Sequence, residues 1–361
     1  MARVHNFMAG PSTLPVPALE RARDEMLNYK GSGMSIMEAS HRGKVYESVH
    51  NEAITLTKEL LGVPSNYQVL FFQGGATLQF SQIPMNLLKT QADYVVTGTW
   101  ADGAYKAAQN YGQANLAATG KDTNFNRIPK GADIKLTPNA DYVHICSNNT
   151  IFGTQYQSFP SVGSVPLIAD MSSDIMSRPL DVSKFGMIYA GAQKNIGPAG
   201  IVLVIMSNEL IEKCAPSKIV PKTMQYKKAV EENSMINTPA TFSIYMIRNV
   251  LDWLKGEGGL AAIQKRNIEK AGLIYDVIDS SGGYYKGHSV KEDRSLMNIT
   301  FNLKTPELEE TFISGATKAG MVGLKGHRSV GGIRASTYNA MTVQGCQALA
   351  QYMKDFVSKN G

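Results

Sequence analysis

Apolar residues recur at helical spacing twice near the start of the chain, over residues 17–30 and again over 43–62. In the second run Val45, Val49, Ala53, Leu56 and Leu60 fall three or four apart before Gly62 ends the pattern. Two amphipathic helices are predicted there. Short apolar runs then alternate with helix-patterned stretches: strand 68–72, helix 78–88, strand 94–97, helix 101–111, then strands 142–146, 167–170, 187–190 and 201–206. Such alternation predicts an α/β fold whose mainly parallel sheet is wrapped by helices. A further helical stretch through Ile244, Ile247, Val250, Leu251 and Leu254 breaks at Gly256-Glu257-Gly258-Gly259, which marks the expected domain boundary. Beyond it, helix 260–278, strand 297–301, helix 307–319, a glycine-rich strand region and helix 342–357 read as a smaller α+β domain.

A chain of 361 residues is more than one core comfortably organises, in keeping with two units. With 43% hydrophobic and 18% charged residues it has ample material for a core, which excludes a disordered chain. Lys and Arg number 36 against 30 Asp and Glu, a net charge of +6. The charges are scattered, so the footprint of a nucleic-acid binder is missing, while a mild basic excess suits anionic small molecules. Cys146, Cys214 and Cys346 are odd in number and lack metal or disulfide spacing, so reduced thiols in a cytoplasm are expected, and no metal. The N-terminal MARVHNFMAGPSTLP reaches Gly-Pro before any apolar stretch develops, and the longest candidate run, 201–206, is too short for a bilayer. Neither a targeting segment nor a membrane segment is expected.

The most informative segment is 187–206, in which Lys194 sits in a tight turn of small residues between two apolar strands. A lysine in a desolvated turn is disposed to lose its proton and act as a nucleophile; the alternative is an exposed turn lysine. Upstream, the apolar strand 167–170 ends in Asp170, at the edge where open α/β sheets meet ligands. By itself Asp170 reads first as a helix N-cap, since Asp-x-Ser-Ser caps well. Together with Lys194 it forms the arrangement that a pyridoxal phosphate site needs, an imine-forming lysine and a carboxylate that keeps the ring electron-poor. The strand, Gly74-Gly75 turn and helix start over 71–80 offer free N–H groups and the Thr77 hydroxyl to a phosphate, though a Gly-Gly turn is often plain punctuation. Trp100 is placed to stack on a flat ring or simply to pack. His41-Arg42, and His327-Arg328 with Lys325 and Arg334 in a glycine-rich setting, point to anion recognition, against the reading of solvated surface charge.

Taken together, MAGPSTLP, SHRGK, GGATLQF, Trp100, NNTIFGTQ, ADMSS, GAQKNIGPAG, NTPAT and GHRSVGGIRAS resemble the phosphoserine aminotransferase family of fold-type I pyridoxal phosphate enzymes over essentially the whole chain. The resemblance implies a large cofactor-binding domain, 16–256, and a small domain made of 1–15 and 257–361. It implies pyridoxal 5′-phosphate as cofactor, Lys194 as the imine-forming residue and Asp170 as partner of the ring nitrogen. Trp100 would be the stacking ring, with Ala76, Thr77, Thr150 and Gln193 as further cofactor contacts. Asn237 and Thr238 would reach the cofactor phosphate of a neighbouring subunit, which implies a homodimer with shared sites. Arg334 would hold the substrate α-carboxylate, and His41, Arg42, His327 and Arg328 the distal phosphate or γ-carboxylate. The implied reaction joins L-glutamate and 3-phosphohydroxypyruvate in serine biosynthesis, with 4-phosphohydroxythreonine of pyridoxine biosynthesis as an extra substrate. Two positions depart from the pattern: Ala9 stands where some members have serine, and Ala76-Thr77 where some have an arginine after the glycine. A cysteine desulfurase would need an exposed cysteine, and a nicotinamide dehydrogenase a glycine fingerprint that this chain lacks.

Overall fold

Along the strand Ile201–Ser207, Ile201, Leu203 and Ile205 turn to one apolar cluster while Val202, Val204 and Met206 turn to another, and all six are buried. A strand apolar on both faces demands a cover on each side, and helices supply it. In the computed structural model, which describes residues 3–361, this strand lies inside a seven-stranded sheet. Met1 and Ala2, which open the expected small domain and the stretch expected to hold no targeting signal, lie outside the described residues. The strands run in the order Tyr67–Gln73, Ile201–Ser207, Met187–Gly191, Leu167–Asp170, Val143–Cys146, Gln91–Val96 and Gln113–Thr119. Ile201–Ser207 is antiparallel to both its neighbours, and the remaining pairs are parallel. Helices Lys44–Leu61 and Thr241–Gly256 cover one face; Ala76–Leu87 and Thr99–Ala108 cover the other.

A third core gathers Phe7 and residues between Ala271 and Phe356, around a small sheet of Lys286–Gly287, Asn298–Asn302 and Ile333–Ser336. The long helix Gly259–Ser280 serves two cores: Leu260 and Ile263 pack with the large sheet, Ala271, Ile274 and Val277 with the small one. The N-terminal segment joins the third core as well, because His5–Asn6 pairs in parallel with Met321–Val322.

One expectation is corrected, and one strand had gone unread. The helix expected over 17–30 ends at Asp24, since Lys30, Gly31 and Gly33 all take positive φ and turn the chain back. The strand Gln113–Thr119, an edge strand of small and polar residues with Leu116 half exposed, carries no apolar run and gave no signal. Among the described residues no helix is long and apolar enough to cross a membrane.

The large and small sheets are joined by buried polar side chains. Asn148 Nδ2 donates to Ser173 Oγ (2.8 Å) and Asn298 Oδ1 (2.8 Å), while Asn298 Nδ2 donates to Ser336 Oγ (3.0 Å) and Tyr338 Oη (3.2 Å). Each member is satisfied only while the others stay in place. Asn298→Ala should therefore lower unfolding stability by about 3 kcal/mol, roughly 1 to 3 for each buried group left without a partner. Chemical denaturation checks this; an unchanged midpoint would mean that the network contributes nothing net.

Candidate active site

Parallel strands bring their carboxyl ends to one edge of the sheet, and the candidate residues collect there. Asp170 is the last residue of its strand, in register with Cys146 on one side and Tyr189 on the other. No helix follows it, so the N-cap alternative is wrong. Asp170 Oδ1 instead accepts from Ser172 N (2.9 Å) and Ser172 Oγ (2.6 Å), a local turn that fixes the carboxylate. Burial raises the Asp170 pKa, while the Ser172 hydrogen bonds, the Lys194 charge and the Tyr189 hydroxyl pull it back.

Lys194 lies in the turn between two antiparallel strands, a turn closed by Ala192 N donating to Ile201 O (3.0 Å). Gly197 must be bare, because a Cβ there would stand 2.6 Å from Ile247 Cγ1 on the covering helix. Lys194 Nζ donates to Thr150 Oγ1 (2.6 Å) and stands 5.5 Å from the centre of the Trp100 ring. Burial lowers the amine's pKa, Asp170 and Cys146 oppose this, and Arg334 adds to it. The N-terminal segment closes the other side: Ser12 N donates to Gln193 O (3.1 Å), Ser12 Oγ to Lys194 O, and a Cβ on Gly10 would meet Lys194 Cγ at 3.2 Å.

Trp100 enters from the helix Thr99–Ala108. Gly98 before it is pressed against Asn149, whose Oδ1 would be 2.7 Å from a Cβ. The indole Nε1 and Gln193 Oε1 are buried without partners. Ala76 opens the helix Ala76–Leu87, whose N-terminus has no side-chain cap, and Thr77 is exposed beside it. From the small sheet Arg334 Nη1 reaches Thr150 O at 3.5 Å, so Thr150 touches both the lysine and the arginine. His327 is held by Ser329 Oγ (2.7 Å); burial lowers its pKa and the nearby Arg334 and Arg328 lower it further.

The structure thus brings Asp170, Lys194, Thr150, Trp100, Gln193 and Arg334 together, with His327 and Arg328 at the margin. His41 and Arg42 form a separate pair, Arg42 Nε donating to His41 Nε2 at 3.4 Å, with Arg42 exposed. Asn237 and Thr238 are exposed too, and Thr238 O accepts from Gln73 Nε2 (3.0 Å) in the same chain. Sequence reasoning missed Ser172, Ser12 and Gly10; the ADMSS and MAGPS motifs contained them, but nothing local shows that the N-terminus lies on the Lys194 turn. Among the described residues no group of His, Cys, Asp and Glu is placed to hold a metal ion.

A sequence profile for the aminotransferase class-V family matches residues 4–349. A phosphoserine aminotransferase of Lysinibacillus sphaericus is 52% identical over 360 residues, 99% of either chain. The solved phosphoserine aminotransferase of Bacillus circulans subsp. alkalophilus superposes with a TM-score of 0.97 at 51% identity, covering 99% of each chain. The enzyme of that name from Trichomonas vaginalis, solved with pyridoxal phosphate bound, gives 0.94 at 40% identity over 98% of this chain and 100% of that one.

The lowered amine pKa has a measurable consequence. Treatment with an aromatic aldehyde and borohydride at pH 8, followed by peptide mapping, should label Lys194 ahead of solvated lysines. The labelling rate should fall as the pH drops through the amine's lowered pKa; a titration at the ordinary lysine value would contradict this account of Lys194.

Proposed function

We propose a specific reaction for this chain, which belongs to the class-V aminotransferase family: reversible amino transfer between L-glutamate and 3-phosphohydroxypyruvate, giving O-phospho-L-serine and 2-oxoglutarate. The name phosphoserine aminotransferase, carried by relatives about half identical over the full length, supports the substrate pair. The observation in this chain that carries the reading is the meeting of two parts. An amine with a lowered pKa beside a buried carboxylate lies next to Arg334, whose charge lowers the proton affinity of both that amine and His327. Such a cationic wall favours a substrate with two anionic ends.

The residues present fit pyridoxal 5′-phosphate. The flat face of Trp100, the partnerless Trp100 Nε1 and Gln193 Oε1, and the uncapped helix start at Ala76 and Thr77 are what a ring with a phosphate arm would engage. When bound, the cofactor supplies a carbonyl that accepts the amino group and a ring that takes up the electron pair of the substrate Cα–H bond. Asp170 keeps a proton on the ring nitrogen. Burial raises its pKa, and the Ser172 hydrogen bonds and a cation opposite it would oppose that rise and favour the charged carboxylate. Lys194 would hold the cofactor through Nζ and, once displaced by the substrate amine, would serve as the base that takes the proton from the substrate Cα and returns it, across the nitrogen, to the carbon that had carried the cofactor's carbonyl. Thr150 orients the amine through its hydroxyl and steadies Arg334 through its carbonyl. Arg334 binds the α-carboxylate, and His327 and Arg328 the distal phosphate or γ-carboxylate. On the keto acid the same groups act in reverse order. The distal-phosphate contacts serve 4-phosphohydroxythreonine equally, as an extra substrate.

The same proposal includes a homodimer with shared sites. Arg42, Asn237 and Thr238 are exposed in their own chain, with Arg42 bonded to His41 and Thr238 O to Gln73, and Leu27, 86% exposed, and Ile219, 90% exposed, offer apolar surface for a second copy. It also includes the division into a large unit, 16–256, and a small unit, 1–15 with 257–361; the three cores support it, although the helix Gly259–Ser280, which follows the boundary, packs into cores of both. Three buried free cysteines support a cytoplasmic setting.

Substrate comparison tests the division of labour. Arg334→Met should lower kcat/KM by a similar factor for phosphoserine and for the poor, tail-less substrate alanine. Arg328→Met should affect phosphoserine far more than alanine, by roughly 1.5 to 3 kcal/mol or tenfold and upward. The same pattern from both variants would remove the distal-anion role. Lys194→Ala should keep the fold by circular dichroism and lose turnover; substantial residual transamination would end the assignment.

A further inference from the structure

Lys270 is buried in the middle of the helix Gly259–Ser280, with no exposed surface and no carboxylate facing it. Its Nζ donates to Thr337 O (2.9 Å) and Tyr338 O (2.7 Å). An ammonium taken out of water is expensive, and an apolar side chain of that length would fill the same space without the penalty. What only the amine supplies is a pair of directed bonds to carbonyls that are themselves buried, since Thr337 and Tyr338 are at most 1% exposed. Asn267, one turn earlier, extends the grip: its Nδ2 donates to Asn339 Oδ1 (2.9 Å) and Ser177 O (3.0 Å). One helix face thus holds three consecutive residues, 337, 338 and 339.

Those three residues directly follow the strand Ile333–Ser336 that carries Arg334. They also reach the lysine turn, because Asn339 N donates to Asn195 Oδ1 (2.9 Å), and the N-terminal segment, because Tyr338 Oη donates to Ala9 O (2.7 Å). Arg334 has few anchors of its own. Its Nε is buried without a partner, and Nη1 makes one long bond to Thr150 O, so its aim depends on its backbone.

We propose that Lys270 is a positioning residue: from behind the active site it fixes the two carbonyls that follow the Arg334 strand, and so sets how firmly the site grips the substrate α-carboxylate. The inference rests on the reading of Arg334 as the α-carboxylate ligand. The groups that face Lys270 from the packed elements are the Cys346 thiol on the helix Val343–Asn360 and, along its own helix, Arg266. Burial pulls the Lys270 amine down to about 7. The neutral amine still reaches both carbonyls, but without charge assistance. Because the folded value lies below the unfolded one, the unfolded chain holds the proton more tightly. The burial penalty is present in full below about pH 7 and is relieved as the pH rises towards the unfolded lysine value.

The test uses the full-length holoenzyme carrying Lys270→Met, with Asn267→Leu as a second variant should the first fold poorly. Three quantities are measured: KM and kcat for glutamate and alanine, binding of the unreactive dicarboxylate glutarate, and melting temperature from pH 6 to 10. Lys270→Met should raise KM for glutamate and alanine by the same factor, about three- to tenfold. It should weaken glutarate binding to match, leave kcat nearly unchanged, and remove the part of the alkaline rise in stability that belongs to Lys270. Asn267→Leu should show the same KM pattern with a smaller factor. In an Arg334→Met background, Lys270→Met should add no further loss of glutarate binding. A lower melting temperature with KM unchanged, or a fall in kcat alone, would overturn the proposal by reducing Lys270 to a packing role. If Arg334→Met itself left glutarate binding intact, the reading of Arg334 would fail instead; if it weakened binding and Lys270→Met did not, only the Lys270 inference would fail.

Discussion

The hydrogen bond from Lys194 Nζ to Thr150 Oγ1, made beside the buried Asp170, is the contact around which the molecule is arranged. A lysine amine in water is protonated and inert as a nucleophile; removing water shifts it towards the neutral form, and a nearby carboxylate limits how far that goes. The fold maintains that balance by placing the amine in a turn backed by the helix Thr241–Gly256 and roofed by Gly10 and Ser12. Loss of either cover would readmit water and return the amine to ordinary behaviour.

Other features follow from the need to bring a cation from a different sheet to that amine. Arg334 belongs to the small sheet and Thr150 to the loop after a large-sheet strand, yet they are in contact. Apolar packing between two sheets is tolerant of small slides, whereas directed hydrogen bonds are not. The join accordingly runs through Asn148, Asn298, Ser336 and Tyr338, where a shift of a fraction of an ångström breaks several bonds together. Such a join restricts how far the small sheet can slide past the residues that follow the large-sheet strand Val143–Cys146.

Much of this was legible in the sequence, for identifiable reasons. The buried strands carried unbroken apolar runs, and Asp170 and Lys194 sat at the ends of such runs, where geometry requires them to meet. The edge strand Gln113–Thr119 was silent because an edge needs no apolar face, and the helix expected to reach residue 30 stopped at Asp24 because apolar spacing continued through Leu27 while Gly31 and Gly33 turned the chain. Asp170 allowed two readings, and only the absence of a following helix separated the turn with Ser172 from an N-cap. Lys270 and Asn267 were unreadable in principle, since their partners are main-chain carbonyls and an asparagine about 70 residues away, which no local pattern encodes.

The pairing of His5–Asn6 with Met321–Val322 bears on how the protein is made. Synthesis proceeds from the N-terminal side, so the segment that will roof Lys194 is made before the strands it serves. Its strand partner, and the Tyr338 hydroxyl that holds Ala9, follow all the strands of the large sheet. The large sheet can assemble from residues 67–207 while the leading segment waits, tethered but without a place to dock. Closing a loop of that length carries an entropic penalty that grows only slowly with separation. In a nascent chain the contacts of residues 5, 6 and 9 with residues 321, 322 and 338 therefore form only once the small sheet has been made, so the N-terminal segment gains its full set of partners after the large sheet has its own.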